Sequence, residues 1–401
     1  MPSLDESATL RLIGDLIDGT HLAIPDRLGS VFASAAERAG WEIVVLLIDY
    51  EQRELRPLPG DAQGVGSQSV DGTLAGRCFR QVEAVDIGHS DGYMWVPLID
   101  GVERLGVLRL RLPGGAGLQD VAASRHVRWV AQLIAHLIAS KTPYADYFHI
   151  ARLTQQRSVP SELIWSALPP LTVACEGLVI AGGLDPTHAV AGDIFDYAID
   201  DDVAHIAIAD ATGHDLRAAL VGAMILATFR AGRRRLLEID ATVAEIDNVL
   251  LAYEAYTYAT GVFGQLDLTN GAFRYVNAGH PAPLLLRDGK VVKPLDAGRR
   301  ILLGWPDHRA TIGVEHLEPG DWLVFHTDGV TEARDEHHTF FGLERLIDVV
   351  ERCAAHHQNA AETLRGVMHA VLAHQSQVLQ DDATVVVVQW MTARESELEA
   401  T

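Results

Sequence analysis

Cysteine is scarce in this chain: Cys78, Cys175 and Cys353 are the three in 401 residues. They lie far apart and are odd in number, so neither a disulfide framework nor a zinc site is suggested, and a reducing cytoplasm is the expected compartment. Positive charge is also short. Against 54 acidic residues stand 32 Lys and Arg, a net charge of −22. With no basic excess to neutralise phosphates, nucleic acid and an anionic membrane are excluded as main partners. The local exception, Arg230, Arg233, Arg234 and Arg235, reads as a solvated helix end. Long hydrophobic runs are missing: the stretch around "EIVVLLIDY" is far too short to span a bilayer. "MPSLDESATLRL" begins acidic and polar, unlike a secretory signal. Neither a G-x-S-x-G nucleophile elbow nor a GxxxxGK[ST] phosphate loop occurs, and "AGG" at 181–183 is too short to cradle phosphate.

What is present fits a soluble globular chain, 48% hydrophobic and 21% charged, whose length favours two domains. In the first segment, residues 1–142, Leu28, Val31, Phe32 and Ala35 share a helical face. "WEIVVLLIDY" reads as a buried strand. "YMWVPLID" and "RLGVLRLRLP" read as a hairpin turning at Asp100-Gly101, with Leu108, Leu110 and Leu112 alternating with Arg109 and Arg111. A closing helix carries Val127, Val130, Ala131, Ile134 and Ile138 on one stripe. This order, with "DGTLAGRCFRQVEAVDI" in its middle, resembles an α/β GAF sensor domain over residues 15–140. Either an unknown small-molecule ligand or a dimerisation role without ligand would suit it, and its apolar helices suggest a homodimer. A helical linker, 143–170, follows, with Pro160 where a helix can start and Pro169-Pro170 where it must stop. Residues 171–392 read as α+β, with helices between "LVIAGGL", "VAHIAIAD", "GVFGQLDL", "AFRYVNAG", "APLLLRDG", "DWLVFHTDG" and "ATVVVVQW". Asn359 is the expected cap of one of those helices, and residues 393–401 form a tail.

Four acidic residues share a context. Asp193, Asp210, Asp328 and Asp381 each stand at the end of an apolar strand, or just before one, beside a turn residue. Any one alone reads as a strand-terminal turn. Four on neighbouring strands would converge at one sheet edge and repel unless cations neutralise them. Oxygen ligands without Cys or paired His point to magnesium or manganese. Two such ions about 4 Å apart would activate water for phosphate-ester hydrolysis and balance the charge of an in-line transition state.

"AVAGDIFDY", "IADATGHDLRAALVGAM", "FRYVNAGHPAPLLLRDG", "LEPGDWLVFHTDGVTEARDEHHTFFGLERL" and "QDDATVVVV" resemble, in order and spacing, the SpoIIE/RsbU-type branch of the metal-dependent protein serine/threonine phosphatases, the PPM family. The resemblance spans residues 171–390. It implies an αββα sandwich of two antiparallel sheets flanked by helices, with two Mn or Mg ions at one edge. It implies hydrolysis of phosphoserine or phosphothreonine on a protein by metal-activated water, the usual substrate being a phosphorylated anti-sigma-factor antagonist with a STAS domain. No STAS or kinase domain is recognisable in this chain, so substrate and opposing kinase are expected to be separate proteins. Carried onto this sequence, Asp193, Asp210, Asp328, Asp381 and the backbone carbonyl of Ala211 would hold metal. Asp196 and Asp382 would stand behind them, and Asn277 and His280 would shape the metal-side turn. His214 is a candidate proton donor to the leaving serine, with a turn-bracing role as the alternative. His337, His338, His356 and His357 read as surface residues. Two positions depart from the family: Ala191-Gly192 replaces a Gly-Gly pair, and Asp215 replaces the second Gly of Gly-His-Gly. The second departure supports a rival reading, a catalytically weak pseudophosphatase acting as a regulatory binding module.

Overall fold

A computed structural model describes residues 6–59, 65–86, 92–113, 121–175, 177–185, 192–213, 215–254, 257–305, 310–375 and 382–391. The chain divides into two compact units, Met1–Gln155 and Gln156–Thr401. No helix among the described residues is long and apolar enough to cross a membrane.

The first unit is an antiparallel sheet between helices. Its helices are α1 (Glu6–Thr20), α2 (Leu28–Arg38), α3 (Leu74–Gln81), α4 (Val121–Lys141) and α5 (Asp146–Arg152). Its strands are β1 (Glu42–Ile48), β2 (Glu54–Pro57), β3 (Gln68–Ser69), β4 (Val85–Asp86), β5 (Tyr93–Asp100) and β6 (Glu103–Arg111), in the order β3-β2-β1-β6-β5-β4. The Asp100-Gly101 turn lies between β5 and β6, where Asp100 pairs with Glu103. Ile43, Val45 and Leu47 of β1 pack into one core with Leu12, Phe32 and Val130 of the helices. Leu46 and Ile48 pack on the opposite face with Cys78 and Phe79 of α3. Burial on both faces is the reason β1 is a continuous apolar run without alternation.

The expected linker is shared between the units. Phe148 and Ala151 of α5 belong to the first core, and Arg152 Nε donates to the Ile48 carbonyl at 3.0 Å. Helix α6 (Val159–Ala167) belongs to the second unit through Ile164. Ser158 caps its first turn and Pro160 lies in it, so the proline supplies a fixed φ where no amide partner is needed.

The second unit has four layers. One sheet comprises β9 (Asp193–Asp200), β10 (Val203–Ala211), β11 (Ala259–Asp267), β12 (Ala272–Ala278), β15 (Arg299–Arg300) and β16 (Gly313–His316). The other comprises β7 (Thr172–Cys175), β8 (Leu178–Asp185), β13 (Leu284–Arg287), β14 (Lys290–Pro294), β17 (Trp322–His326) and β18 (Ala383–Trp390). Their pairings are antiparallel except β12 with β15. Phe273 and Phe325 meet edge to face between the sheets, with centroids 6.1 Å apart. Helices α7 (Leu216–Arg234) and α8 (Ile239–Tyr253) cover the first sheet, where Phe229 packs on Phe263. Helices α10 (Gly342–Ala355) and α11 (Ala360–His374) cover the second, whose Val385 and Val387 share a core with Leu346, Leu364 and Val367. Asn359 caps α11 by accepting from the Glu362 amide at 2.8 Å, and the one-turn helix α9 (Asp328–Thr331) follows β17. The αββα sandwich expected for residues 171–392 is therefore the architecture of this unit.

Candidate metal centre

Antiparallel register creates the centre. Strand β9 begins at Asp193 and β10 ends just past Asp210, and the two residues are direct cross-strand partners. On the other side of β10, Asp210 faces Thr260 of β11. The second sheet contributes the ends of β17 and β18, with Asp328 following one strand and Asp382 preceding the other. Thr327 joins the two sheets: its hydroxyl donates to Asp193 Oδ2 at 2.7 Å and accepts from the Thr384 amide at 3.0 Å. The Gly192 amide donates to Asp382 Oδ2 at 2.9 Å, tying the sheets a second time. Gly329 must lack a side chain, because a Cβ there would lie 1.8 Å from the Asp382 carbonyl oxygen.

Asp193 is 2% exposed. Burial pushes its carboxyl well above the ordinary value, the nearby Asp210 and Asp382 push it further, and the Thr327 hydrogen bond opposes them. This is the repulsion expected of carboxylates brought close together in a buried site. Oxygen atoms converge on the same spot. A Cβ placed on Gly192 would lie 2.6 Å from the Ala211 carbonyl oxygen, 2.9 Å from that of Gly213 and 3.3 Å from Asp210 Oδ1. The donor set is carboxylate and carbonyl oxygen, which suits a hard divalent cation. Among the described residues no three His, Cys, Asp or Glu side chains already close into a metal cage.

The carboxylates are backed by a neutral imidazole. Burial lowers the His280 pKa to about 3, assisted by His326, so the ring is uncharged at neutral pH. Its Nδ1 lies 2.8 Å from the Thr260 hydroxyl, beside Asp210 on the sheet. Asn277 Nδ2 donates to the His280 carbonyl at 3.0 Å and its Oδ1 accepts from the His280 amide at 2.8 Å, clasping the intervening turn.

Asp193, Asp210, Asp328 and Asp382 thus come to one end of the sandwich, with Asp328 exposed at the start of α9 and Asp382 buried. Asp381 and His214 lie outside the described residues, as does Ala191. Asp196 is not behind the ligands. It stands three residues from Asp193 on a strand, hence on the opposite face, and binds Arg230 at 2.7 Å and Arg233 of α7. Those two arginines are correspondingly not a solvated helix end. Asp215 has a local explanation: it is the N-cap of α7, its Oδ1 accepting from the Arg217 amide at 3.0 Å and the Ala218 amide at 3.1 Å. The cap gives Asp215 a local structural role that is independent of whether the centre is catalytic. Sequence reasoning missed Thr327, Thr260 and the Gly192 amide. The signal for Thr327 was a polar residue wedged between an apolar strand and Asp328.

Two face-to-face antiparallel sheets with carboxylates gathered at one end are the architecture implied by the PPM class. The family model for Stage II sporulation protein E (SpoIIE) matches residues 200–391, so this part of the chain is similar to that family. Phosphoserine phosphatase RsbU of Bacillus subtilis is 26% identical over 215 residues, 53% of this chain and 63% of that protein. Protein IcfG of Synechocystis sp. is 25% identical over 234 residues, 51% of this chain and 36% of that protein. The chain therefore spans less than two thirds of either relative. A crystal structure of the RsbU and RsbW domains of a Mycobacterium tuberculosis protein aligns with a TM-score of 0.48 and 26% identity, covering 56% of this chain and 63% of that one.

Proposed function

We propose that the chain is a metal-dependent protein serine/threonine phosphatase. The cross-strand pair Asp193 and Asp210, tied to the opposite sheet through Thr327 and Gly192, carries this reading. Asp193, Asp210, the Ala211 carbonyl, Asp328 and Asp381 would hold two Mn or Mg ions. Bound there, the ions would supply Lewis-acid neutralisation of the phosphoryl oxygens and a water of lowered pKa. The chain's own residues do the rest. Thr327 holds Asp193 in one rotamer, Thr260 and His280 fix the strand beside Asp210, and Asp382 anchors the loop entering β9. His214, four residues beyond Asp210, is the proposed proton donor to the departing seryl oxygen. The substrate is a phosphorylated cytoplasmic protein, in keeping with a phosphoserine phosphatase relative, and a STAS-type anti-sigma-factor antagonist is the specific proposal. The assay is manganese-dependent hydrolysis of para-nitrophenyl phosphate by the full chain. Wild type should turn over and Asp328→Asn should not; equal rates in the two would refute the reading.

The first unit is proposed to be a GAF-like regulator of this activity. Its sheet flanked by helices supports that reading. Removing residues 1–155, a unit with its own core, should change the turnover rate several-fold in either direction. An unchanged rate and unchanged manganese requirement would refute regulation.

A further inference from the structure

We infer that Arg217 selects substrates carrying an acidic residue two or three positions from the phosphoserine. The inference rests on the phosphatase reading above and names a specificity determinant for it. An acidic chain of net charge −22 repels a phosphorylated substrate at long range. Arg217 places a cation on the rim of that centre. It stands in the first turn of α7, directly after the loop that follows Asp210. Its Nη2 donates to the Thr257 hydroxyl at 3.1 Å and pairs with Glu254 at 2.9 Å. Arginine and glutamate side chains there are 48% and 57% exposed. An ion pair that open contributes little, so the guanidinium can exchange Glu254 for a carboxylate of the substrate at small cost.

The register sets the distance. Asp210 pairs with Thr260, and the Thr212 amide donates to the Tyr258 carbonyl at 3.2 Å, so residues 257–260 run alongside the 210–212 loop. Thr257 precedes Thr260 by three residues, which at strand spacing places the guanidinium roughly 10 Å from the Asp210 end. That is too far to reach the reacting phosphoryl group. It matches the position of a side chain two or three residues along an extended substrate whose phosphoserine sits at the carboxylates. Arginine's planar fork suits a carboxylate there, and a lysine on the substrate would be repelled.

The test uses the full chain with manganese and synthetic phosphoserine peptides in a neutral background. These carry Asp, Asn or Lys at two and three positions on either side of the phosphoserine. Wild type should prefer the Asp over the Lys peptides by about threefold in kcat/KM, with the difference in KM, because an exposed contact is worth less than about 1 kcal/mol and is as strong before the transition state as in it. Arg217→Gln should bring the ratio close to one and Arg217→Glu should invert it. Equal Asp-to-Lys ratios in wild type and both variants would overturn the inference, leaving Arg217 as a brace for the Thr257 loop. Failure of wild type to release phosphate from every peptide and from para-nitrophenyl phosphate would instead overturn the phosphatase reading itself.

Discussion

Asp210→Asn is expected to lower manganese-dependent phosphate release by about a thousandfold while raising the melting temperature of the metal-free chain. The two effects share a cause. Asparagine keeps the shape of the side chain, so no cavity opens, but it withdraws one charge from the donor set. Asp193 lies opposite on β9, and Asp210 is the largest charge influence raising its carboxyl above the ordinary value. A carboxyl whose folded value is raised stabilises the fold below its unfolded value of 3.8 and loses that contribution as pH rises through the folded value. Above that folded value the metal-free centre therefore weakens the fold, and deleting the Asp210 charge relieves it. The gain should be on the order of 1 kcal/mol, a shift of a few degrees, and should fade on acidification as Asp193 takes its proton. Thermal melts in chelator at pH 5 and pH 7, beside a phosphate-release assay, check both halves. Activity within tenfold of wild type would remove Asp210 from the reaction centre. A melting temperature lowered at both pH values would show that repulsion is not what the metal-free centre stores.

That coupling was half legible in the sequence. Apolar runs ending on Asp210 and Asp328 announce themselves, because a buried strand must meet solvent somewhere and an acid there is conspicuous. Which face each acid takes is harder to read. Asp193 and Asp196 look alike in "GDIFDY", yet three residues of strand put them on opposite faces, and only the passage of α7 beneath β9 explains why Asp196 meets Arg230 and Arg233. The partners of those arginines depend on the packing of a helix on a sheet, which local periodicity does not encode. Strand β9 was read only as an apolar stretch beside Asp193, without bounds, because Asp193 and Asp196 interrupt its apolar run. Asp215 shows the opposite limit. A residue that breaks a family pattern looked like a change of chemistry, and the structure shows it serving as a local cap, available to any Asp that precedes a helix.

Asp247→Ala is expected to destabilise the second unit by about 3–5 kcal/mol, the cost of leaving a buried charge without its partner. Asp247 lies on the inner face of α8 with Val243, Ile246 and Leu250, and it and the Arg300 side chain are 0% and 1% exposed. Arg300 grips it with both terminal nitrogens, at 2.6 and 3.2 Å, and the Gly304 amide donates to the same carboxylate at 2.9 Å. The guanidinium also donates to the carbonyls of Ile301 and Leu302. Alanine would strand that guanidinium in an apolar layer and leave the Gly304 amide without its acceptor. The damage should reach the centre, because Leu303 and Ala259 exchange backbone hydrogen bonds next to Thr260. A variant that removes both charges, Asp247→Leu with Arg300→Met, discriminates between two accounts. If charge desolvation dominates, stability should return to nearly the wild-type level. The loop geometry argues for incomplete recovery, since the Gly304 amide and the Ile301 and Leu302 carbonyls would still lack partners, each costing about 1–3 kcal/mol. Urea unfolding followed by circular dichroism reports the transition. A single-variant cost below 1 kcal/mol would mean that water reaches the pair, and the brace would then contribute no more than a surface ion pair.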